Sequence, residues 1–253
     1  MDLTREYEQY HDEYFTTGKQ YTSDHPHIGK AKLALGAIYT IERIHQEIKE
    51  KHGDERHWYQ RLQISRGINC ILSVHHLTAK HFYDSAYRDV RTLIEILLIT
   101  NYMNRNRIET AVKFLRQERE IQSSSIELGS IEWTKKELYS EDELHDMLSA
   151  EKNRLEDHEG DLMELYHFFS NRNVHPIRTD SVENDRQFSK HDDKQLLNWQ
   201  LDLILGLMIQ MVKTYSDTSD FRYILNKLSP VEEKIYNDHT TPKFLSYFEE
   251  NSF

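Results

Sequence analysis

Residues 85–103 read SAYRDVRTLIEILLITNYM, and this stretch decides the fold class. Placed on a helix it is apolar nearly all round, which is typical of a central, buried helix in a bundle. Before it, apolar residues recur every three or four positions in two further stretches, one from Ile28 and one from about His57. That spacing is typical of amphipathic helices with one buried face. The sequence therefore predicts an all-α protein.

Few residues interrupt this helical pattern. Of 253 residues only 8 are Gly and 4 are Pro, which is too few for the many turns of an all-β or doubly wound α/β protein. We expect a single helical bundle of about six to eight helices over residues 28–216. An N-terminal arm over residues 1–27 and a C-terminal helical extension over residues 217–253 complete the chain.

Local signals predict three details of the helices. Ser140 and Glu143 form a Ser-x-x-Glu capping box that opens a polar helix. Ser229 and Glu232 form a second capping box, with proline at the first helical position. In the stretch NRIETAVKFLRQEREIQ, which begins at residue 106, the apolar residues are expected to face inward, and these are Ile108, Val112 and Leu115.

Charge and cysteine content limit the classes of function. The formal net charge is −11, from 32 Lys and Arg against 43 Asp and Glu. An acidic surface repels phosphate backbones, so non-specific coating of nucleic acid is not expected. A local basic cleft is still compatible with this net charge. The single cysteine, Cys70, cannot form an internal disulfide and indicates a reducing compartment. No secretory signal is visible, and the longest apolar run, LIEILLI, contains Glu95 and is too short to span a bilayer. We expect a cytoplasmic protein without a membrane segment.

Three charged residues stand out on the most apolar helix. Arg88, Arg91 and Glu95 are three and four residues apart and therefore share one helix face. Buried charges are costly unless they are paired, so this face needs partners. Two interpretations stay open: a structural ion pair between Arg91 and Glu95, or a charged wall of an interior cleft.

The segment YHFFSNRNVHPIRTD, residues 166–180, contains the candidate catalytic residues. Arg172, Asn173 and His175 follow an apolar helical turn, and Pro176 prevents the helix from continuing. An imidazole transfers protons near neutral pH, and a guanidinium can bind a phosphate and stabilise the charge of a transition state. The alternative is an ordinary helix C-terminus, where basic side chains complement the helix dipole.

The combination of RDVRTLIEILL with a later FFSNRNVHP resembles uncharacterised helical proteins related to the HEPN superfamily, over about residues 28 to 215. Many HEPN proteins are ribonucleases of toxin and antiviral defence systems. Their signature separates Arg from His by four to six residues, whereas RNVH leaves only Asn173 and Val174 between them. The resemblance implies a metal-independent endoribonuclease with Arg172, Asn173 and His175 in the active site. It implies a supporting shell of Arg88, Arg91 and Glu95, and a homodimer that acts on RNA.

The sequence also contains partial signals for other kinds of site. A di-iron carboxylate bundle would use Glu-x-x-His pairs, and the sequence has three of them with a lone carboxylate on the central helix: Glu8 with His11, Glu42 with His45, Glu164 with His167, and Glu95. In HHLTAKH, His75 belongs to an apolar stripe and is expected to be a core histidine. No cofactor-binding motif is recognisable, so no cofactor and no metal are expected.

A catalytically inactive helical interaction module is the main alternative to the ribonuclease. In that case the charged residues of the central helix stabilise the core. The aromatic C-terminal sequence TPKFLSYFEENSF would then bind a protein partner.

Overall fold

A computed structural model describes the following residues: 26–51, 57–113, 139–156, 166–167, 190–239 and 245–249. Within these ranges every regular element is a helix and there is no strand. This confirms the predicted all-α class, and the helices form a bundle.

Seven helices of the described residues have these bounds: α1 Ile28–Lys51, α2 Trp58–Ala79, α3 Tyr83–Arg105, α4 Glu141–Glu156, α5 Lys190–Thr214, α6 Phe221–Asp238 and α7 Leu245–Glu249. A further helical stretch covers residues 107–113. None of the described helices is long and apolar enough to cross a membrane.

The centre of the bundle is formed by α3 and α5. Helix α5 contacts α1, α2, α3, α6 and α7, and its residues are buried almost without interruption from Leu196 to Thr214. Two glycines permit close helix packing. A Cβ at Gly67 would lie 2.5 Å from the side chain of Leu207, and one at Gly206 would lie 2.9 Å from that of Leu97. These contacts bring α2 and α3 against α5.

One of the two capping boxes is confirmed and the other is wrong. At the start of α4, the Ser140 amide donates to Glu143 Oε2 (2.8 Å), and the Glu143 amide donates to Ser140 Oγ (3.2 Å). At the second pattern no helix begins, because Pro230 lies inside α6 and Ser229 Oγ donates to the carbonyl of Leu225 (2.7 Å). The buried stripe of α6 crosses this point without a break, and it consists of Ile224, Leu228, Val231 and Ile235. Its burial outweighs the capping signal.

Two apolar residues expected in the core are exposed. Ile108 is 83% and Val112 is 42% exposed, because the helical stretch 107–113 turns Thr110, which is 3% exposed, toward the protein. The third residue of that prediction, Leu115, lies outside the described residues.

The aromatic C-terminal sequence packs against its own bundle. Leu245, Tyr247 and Phe248 in α7 are 1%, 2% and 0% exposed, and α7 contacts α5. These three apolar side chains are therefore buried within the chain. They are not accessible to the protein partner that this sequence was expected to bind.

Candidate functional site

The predicted catalytic residues Arg172, Asn173 and His175 lie outside the described residues. The nearest described residues before them are Tyr166 and His167, which are helical. Tyr166 precedes Arg172 by six positions in the sequence.

Tyr166 lies at the centre of a cluster of charged side chains from α3 and α4. Its hydroxyl donates to Glu95 Oε1 (2.9 Å) and accepts from Lys152 Nζ (2.7 Å) and Arg91 Nη2 (3.3 Å). Arg91 Nε is also paired with Glu95 Oε1 (3.2 Å), as their spacing of four on one helix allows. Arg91, Glu95, Lys152 and Tyr166 are called the tyrosine cluster below.

The tyrosine cluster combines two cations with one carboxylate, so it carries an excess positive charge. Lys152 Nζ is 4.1 Å and Arg91 Cζ is 5.4 Å from the centroid of the Tyr166 ring, close enough for cation–π attraction. Burial by itself would lower the pKa of Arg91, but its interactions with Tyr166 and Glu95 outweigh this and raise the pKa above its ordinary value. The guanidinium therefore stays charged at any physiological pH.

Arg91 has unused capacity to bind an anion. The guanidinium presents five N–H donors, and Nε and Nη2 are engaged with Glu95 and Tyr166. Its Nη1 has no contact among the described residues, and the side chain is 30% exposed. A guanidinium edge that is oriented by neighbours and open to solvent matches the geometry of a phosphate or carboxylate.

Part of the tyrosine cluster is predictable from the sequence. Arg91 and Glu95 do share one face and interact, whereas Arg88 is exposed and takes no part. Lys152 and Tyr166 were missed. Lys152 lies on a polar helix with many charged residues, and Tyr166 is one of 15 tyrosines, so neither has a spacing that separates it from its neighbours.

A second polar group is buried deeper, where α3, α4 and α7 meet. Glu151 is 0% exposed. Its Oε2 accepts from Tyr247 Oη (2.5 Å) and from Asn101 Nδ2 (3.0 Å), and its Oε1 is paired with Arg105. These four residues are called the glutamate network.

The glutamate network continues into α5. Asn101 Oδ1 accepts from Gln210 Nε2 and from Lys213 Nζ, both at 3.3 Å. Asn104 donates to Gln210 Oε1 (2.9 Å). With both carboxylate oxygens engaged and little access to solvent, the network suits a structural role that fixes how the helices align.

The described part of the chain gives no support to a di-iron site. Among the described residues no three His, Cys, Asp or Glu side chains converge as metal ligands would. Glu95 is engaged with Arg91 and Tyr166, and His45 Nε2 is bonded to Ser65 Oγ (2.7 Å). Glu8, His11 and Glu164 lie outside the described residues.

The expected core histidine and the single cysteine are both involved in local contacts. His75 is 1% exposed and its Nδ1 is 2.9 Å from Gln200 Oε1, which confirms the prediction of a core histidine. The Cys70 thiol donates to the carbonyl of Asp89 (3.1 Å), and burial raises its pKa to about 12. The protonated thiol is a poor nucleophile, so Cys70 is not a catalytic candidate.

A scan against protein-family models, a search of curated proteins and a search of solved structures each found no match to this chain.

Proposed function

We propose that this protein is a metal-independent endoribonuclease of HEPN-like type, acting in a toxin or antiviral defence setting. The observation that carries the proposal is the tyrosine cluster, which holds a charged, partly open Arg91 beside Tyr166, six positions before Arg172 in the sequence. The whole protein has a net charge of −11, so binding of a phosphodiester requires a local excess of positive charge. The tyrosine cluster supplies such an excess.

In the proposed reaction the 2′-hydroxyl of the RNA attacks the adjacent phosphorus. His175 removes the hydroxyl proton, and the P–O5′ bond breaks to leave a 2′,3′-cyclic phosphate. The departing 5′-oxygen takes a proton from the equivalent histidine of a second copy in a homodimer. Arg172 binds the phosphate and offsets the charge of the transition state, while Asn173 donates an orienting hydrogen bond.

The tyrosine cluster has a positioning role in this proposal. Arg91 supplies a second guanidinium for the RNA backbone, and Glu95 and Tyr166 fix its orientation. Lys152, which donates to the Tyr166 hydroxyl, adds a second cation, so the cluster keeps an excess positive charge although Arg91 is paired with Glu95. Exposed Arg88 would then contact the backbone outside the cluster.

The test is an RNA-cleavage assay in EDTA on tRNA, mRNA and single-stranded oligonucleotides. Wild type should produce 2′,3′-cyclic ends, and His175→Ala and Arg172→Ala should each lower the rate by about 10²–10⁴-fold. Matched controls are His145→Ala and Arg66→Ala, which alter exposed residues of the same types on α4 and α2. Circular dichroism checks that all variants fold.

Two results would overturn the proposal. One is a wild-type protein that leaves all three RNA classes intact. The other is cleavage that His175→Ala retains in full, because the proposed proton transfer would then have no acceptor.

The interaction module is the second candidate, and one observation favours it. Ile108 and Val112 lie one helical turn apart and are both exposed, which is the kind of apolar surface that a protein partner covers. An Ile108→Ser, Val112→Ser variant should keep the stability of the wild type and lose a partner under this reading. Retained binding of every partner that the wild type captures would exclude that surface.

A further inference from the structure

A groove with a volume of about 560 Å³ lies between α1 and α6. Sites that bind small molecules usually have volumes of about 300–1,000 Å³. Thr40 and Ile44 of α1, which are 5% and 3% exposed, line its deeper part. Asn226 and Pro230 line it from α6. The groove is therefore large enough to hold a small organic molecule, and its ligand depends on the polar groups around it.

Four side chains at this groove repeat the composition of the tyrosine cluster. Arg43 Nε is paired with Glu47 Oε1 (3.2 Å) across one turn of α1, and the Tyr223 hydroxyl donates to Glu47 Oε2. Lys227 Nζ lies 5.7 Å from the centroid of the Tyr223 ring, which is within the range of cation–π attraction. Arg43, Glu47, Tyr223 and Lys227 all line the groove, and they are called the second cluster below.

The second cluster carries an excess of positive charge. Both carboxylate oxygens of Glu47 are engaged, one by Arg43 and the other by Tyr223. The Arg43 side chain is 57% exposed, and Lys227 is exposed. Asp220, which precedes α6 by one residue, does not line the groove. Two cations that reach solvent beside one engaged carboxylate favour an anionic ligand.

Pro230 adds a hydrogen-bond acceptor to the same groove. Proline has no backbone N–H, so the carbonyl four residues before it receives no helical hydrogen bond from that position. In α6 this carbonyl belongs to Asn226, and both residues line the groove. Asn226 is exposed, so a hydroxyl group of a bound molecule can donate to its carbonyl. The groove thus offers cations for an anion and an acceptor for a hydroxyl.

We propose that this groove binds a small phosphate monoester that also carries hydroxyl groups, of the class of the ribose phosphates. A monoester has close to two negative charges at neutral pH, and Arg43 and Lys227 supply one cation for each. The Asn226 carbonyl accepts a hydrogen bond from a ligand hydroxyl. The groove is formed by α1 and α6, whereas the tyrosine cluster joins α3, α4 and Tyr166. The inference therefore does not rest on the proposed ribonuclease activity.

The experiment is isothermal titration calorimetry at low salt, where charge interactions are least screened. The probe is ribose 5-phosphate. Inorganic phosphate and ribose are titrated separately, because each offers only one of the two recognised groups. The test variant is Lys227→Gln. The matched control is Lys190→Gln, which alters an exposed lysine at the start of α5, outside the groove.

The wild type should bind ribose 5-phosphate more tightly than it binds inorganic phosphate or ribose. Lys227→Gln should bind ribose 5-phosphate at least about tenfold more weakly, because it removes a charge-assisted contact. Lys190→Gln should match the wild type. No binding by the wild type, or equal affinities of the wild type and Lys227→Gln, would overturn the inference.

Pro230→Ala tests the hydroxyl contact without removing a side chain that binds phosphate. The new backbone N–H can donate to the Asn226 carbonyl and compete with the ligand hydroxyl. Binding of ribose 5-phosphate should weaken by about two- to tenfold, the effect of one neutral hydrogen bond. Binding of inorganic phosphate should not change. If Pro230→Ala binds ribose 5-phosphate as tightly as the wild type does, the assigned class of ligand is wrong.

Discussion

Replacing Tyr247 by Phe should lower the free energy of unfolding by about 2 kcal/mol. The Tyr247 hydroxyl donates to the fully buried carboxylate of Glu151 at 2.5 Å, and a hydrogen bond to a charged group contributes about 1.5–3 kcal/mol. The ring is retained, so no cavity forms. In a chain of this size the change corresponds to a fall of about 4–8 °C in Tm. Urea denaturation followed by circular dichroism measures it.

Tyr215→Phe is the matched control. Tyr215 is 2% exposed, and its hydroxyl has no hydrogen-bond partner among the described residues. Removing a buried hydroxyl that lacks a partner should leave the stability unchanged or raise it by about 1 kcal/mol. Equal losses in the two variants would refute the reasoning. So would an undiminished effect of Tyr247→Phe in a Glu151→Gln background, because the lost hydrogen bond would then not be to the charged carboxylate.

Three further predictions follow from single residues. Ser140→Ala should lower the free energy of unfolding by about 1 kcal/mol because it removes a helix cap. Ser229→Ala should change it by about 0.3 kcal/mol at most, because the Ser229 hydroxyl lies within a helix and caps nothing. Urea denaturation of both variants tests this contrast. Pro230→Ala should stabilise the protein by about 1–3 kcal/mol, since proline inside a helix removes a backbone hydrogen bond, and an unchanged urea midpoint would contradict this. Burial raises the pKa of Asp202 from 3.8 to about 6, against the opposing hydrogen bond with His239. A carboxyl whose pKa is higher in the folded state stabilises the folded protein when it is protonated. Asp202 should therefore contribute about 3 kcal/mol to the free energy of unfolding below pH 3.8, and this contribution should be lost as the pH rises through 6. Asp202→Asn should flatten that part of the stability–pH curve, and a curve parallel to that of the wild type would exclude it.

The helical class was predictable because burial and helical periodicity act on the same residues. The stripe from Ala34 to Ile48 and the run around Leu97 are both buried, and each apolar position has a direct energetic consequence. The pattern at Ser229 misled because a capping box contributes about 1 kcal/mol. Burial of Leu228 and Val231 on the same helix contributes more. A local signal therefore identifies a helix start only where the apolar stripe also begins, as it does at Ser140.

The candidate site was less predictable, because its contacts join residues that are far apart in sequence. Arg91 and Glu95 could be paired from their spacing of four, which is a property of a single helix. Lys152 and Tyr166 reach them from elsewhere in the chain, and no periodicity encodes such a contact. The same limit applies to Glu151 and Tyr247, which are 96 residues apart.

Net charge proved a poor guide to the local surface for a related reason. A value of −11 counts every carboxylate equally, although Glu151 and Asp193 are 0% exposed. In the tyrosine cluster Glu95 is paired with Arg91, and Lys152 adds a further positive charge, so the charge of this cluster is opposite in sign to that of the whole chain. An acidic composition therefore argues against general binding of RNA, and it does not argue against binding at a cluster where cations outnumber carboxylates.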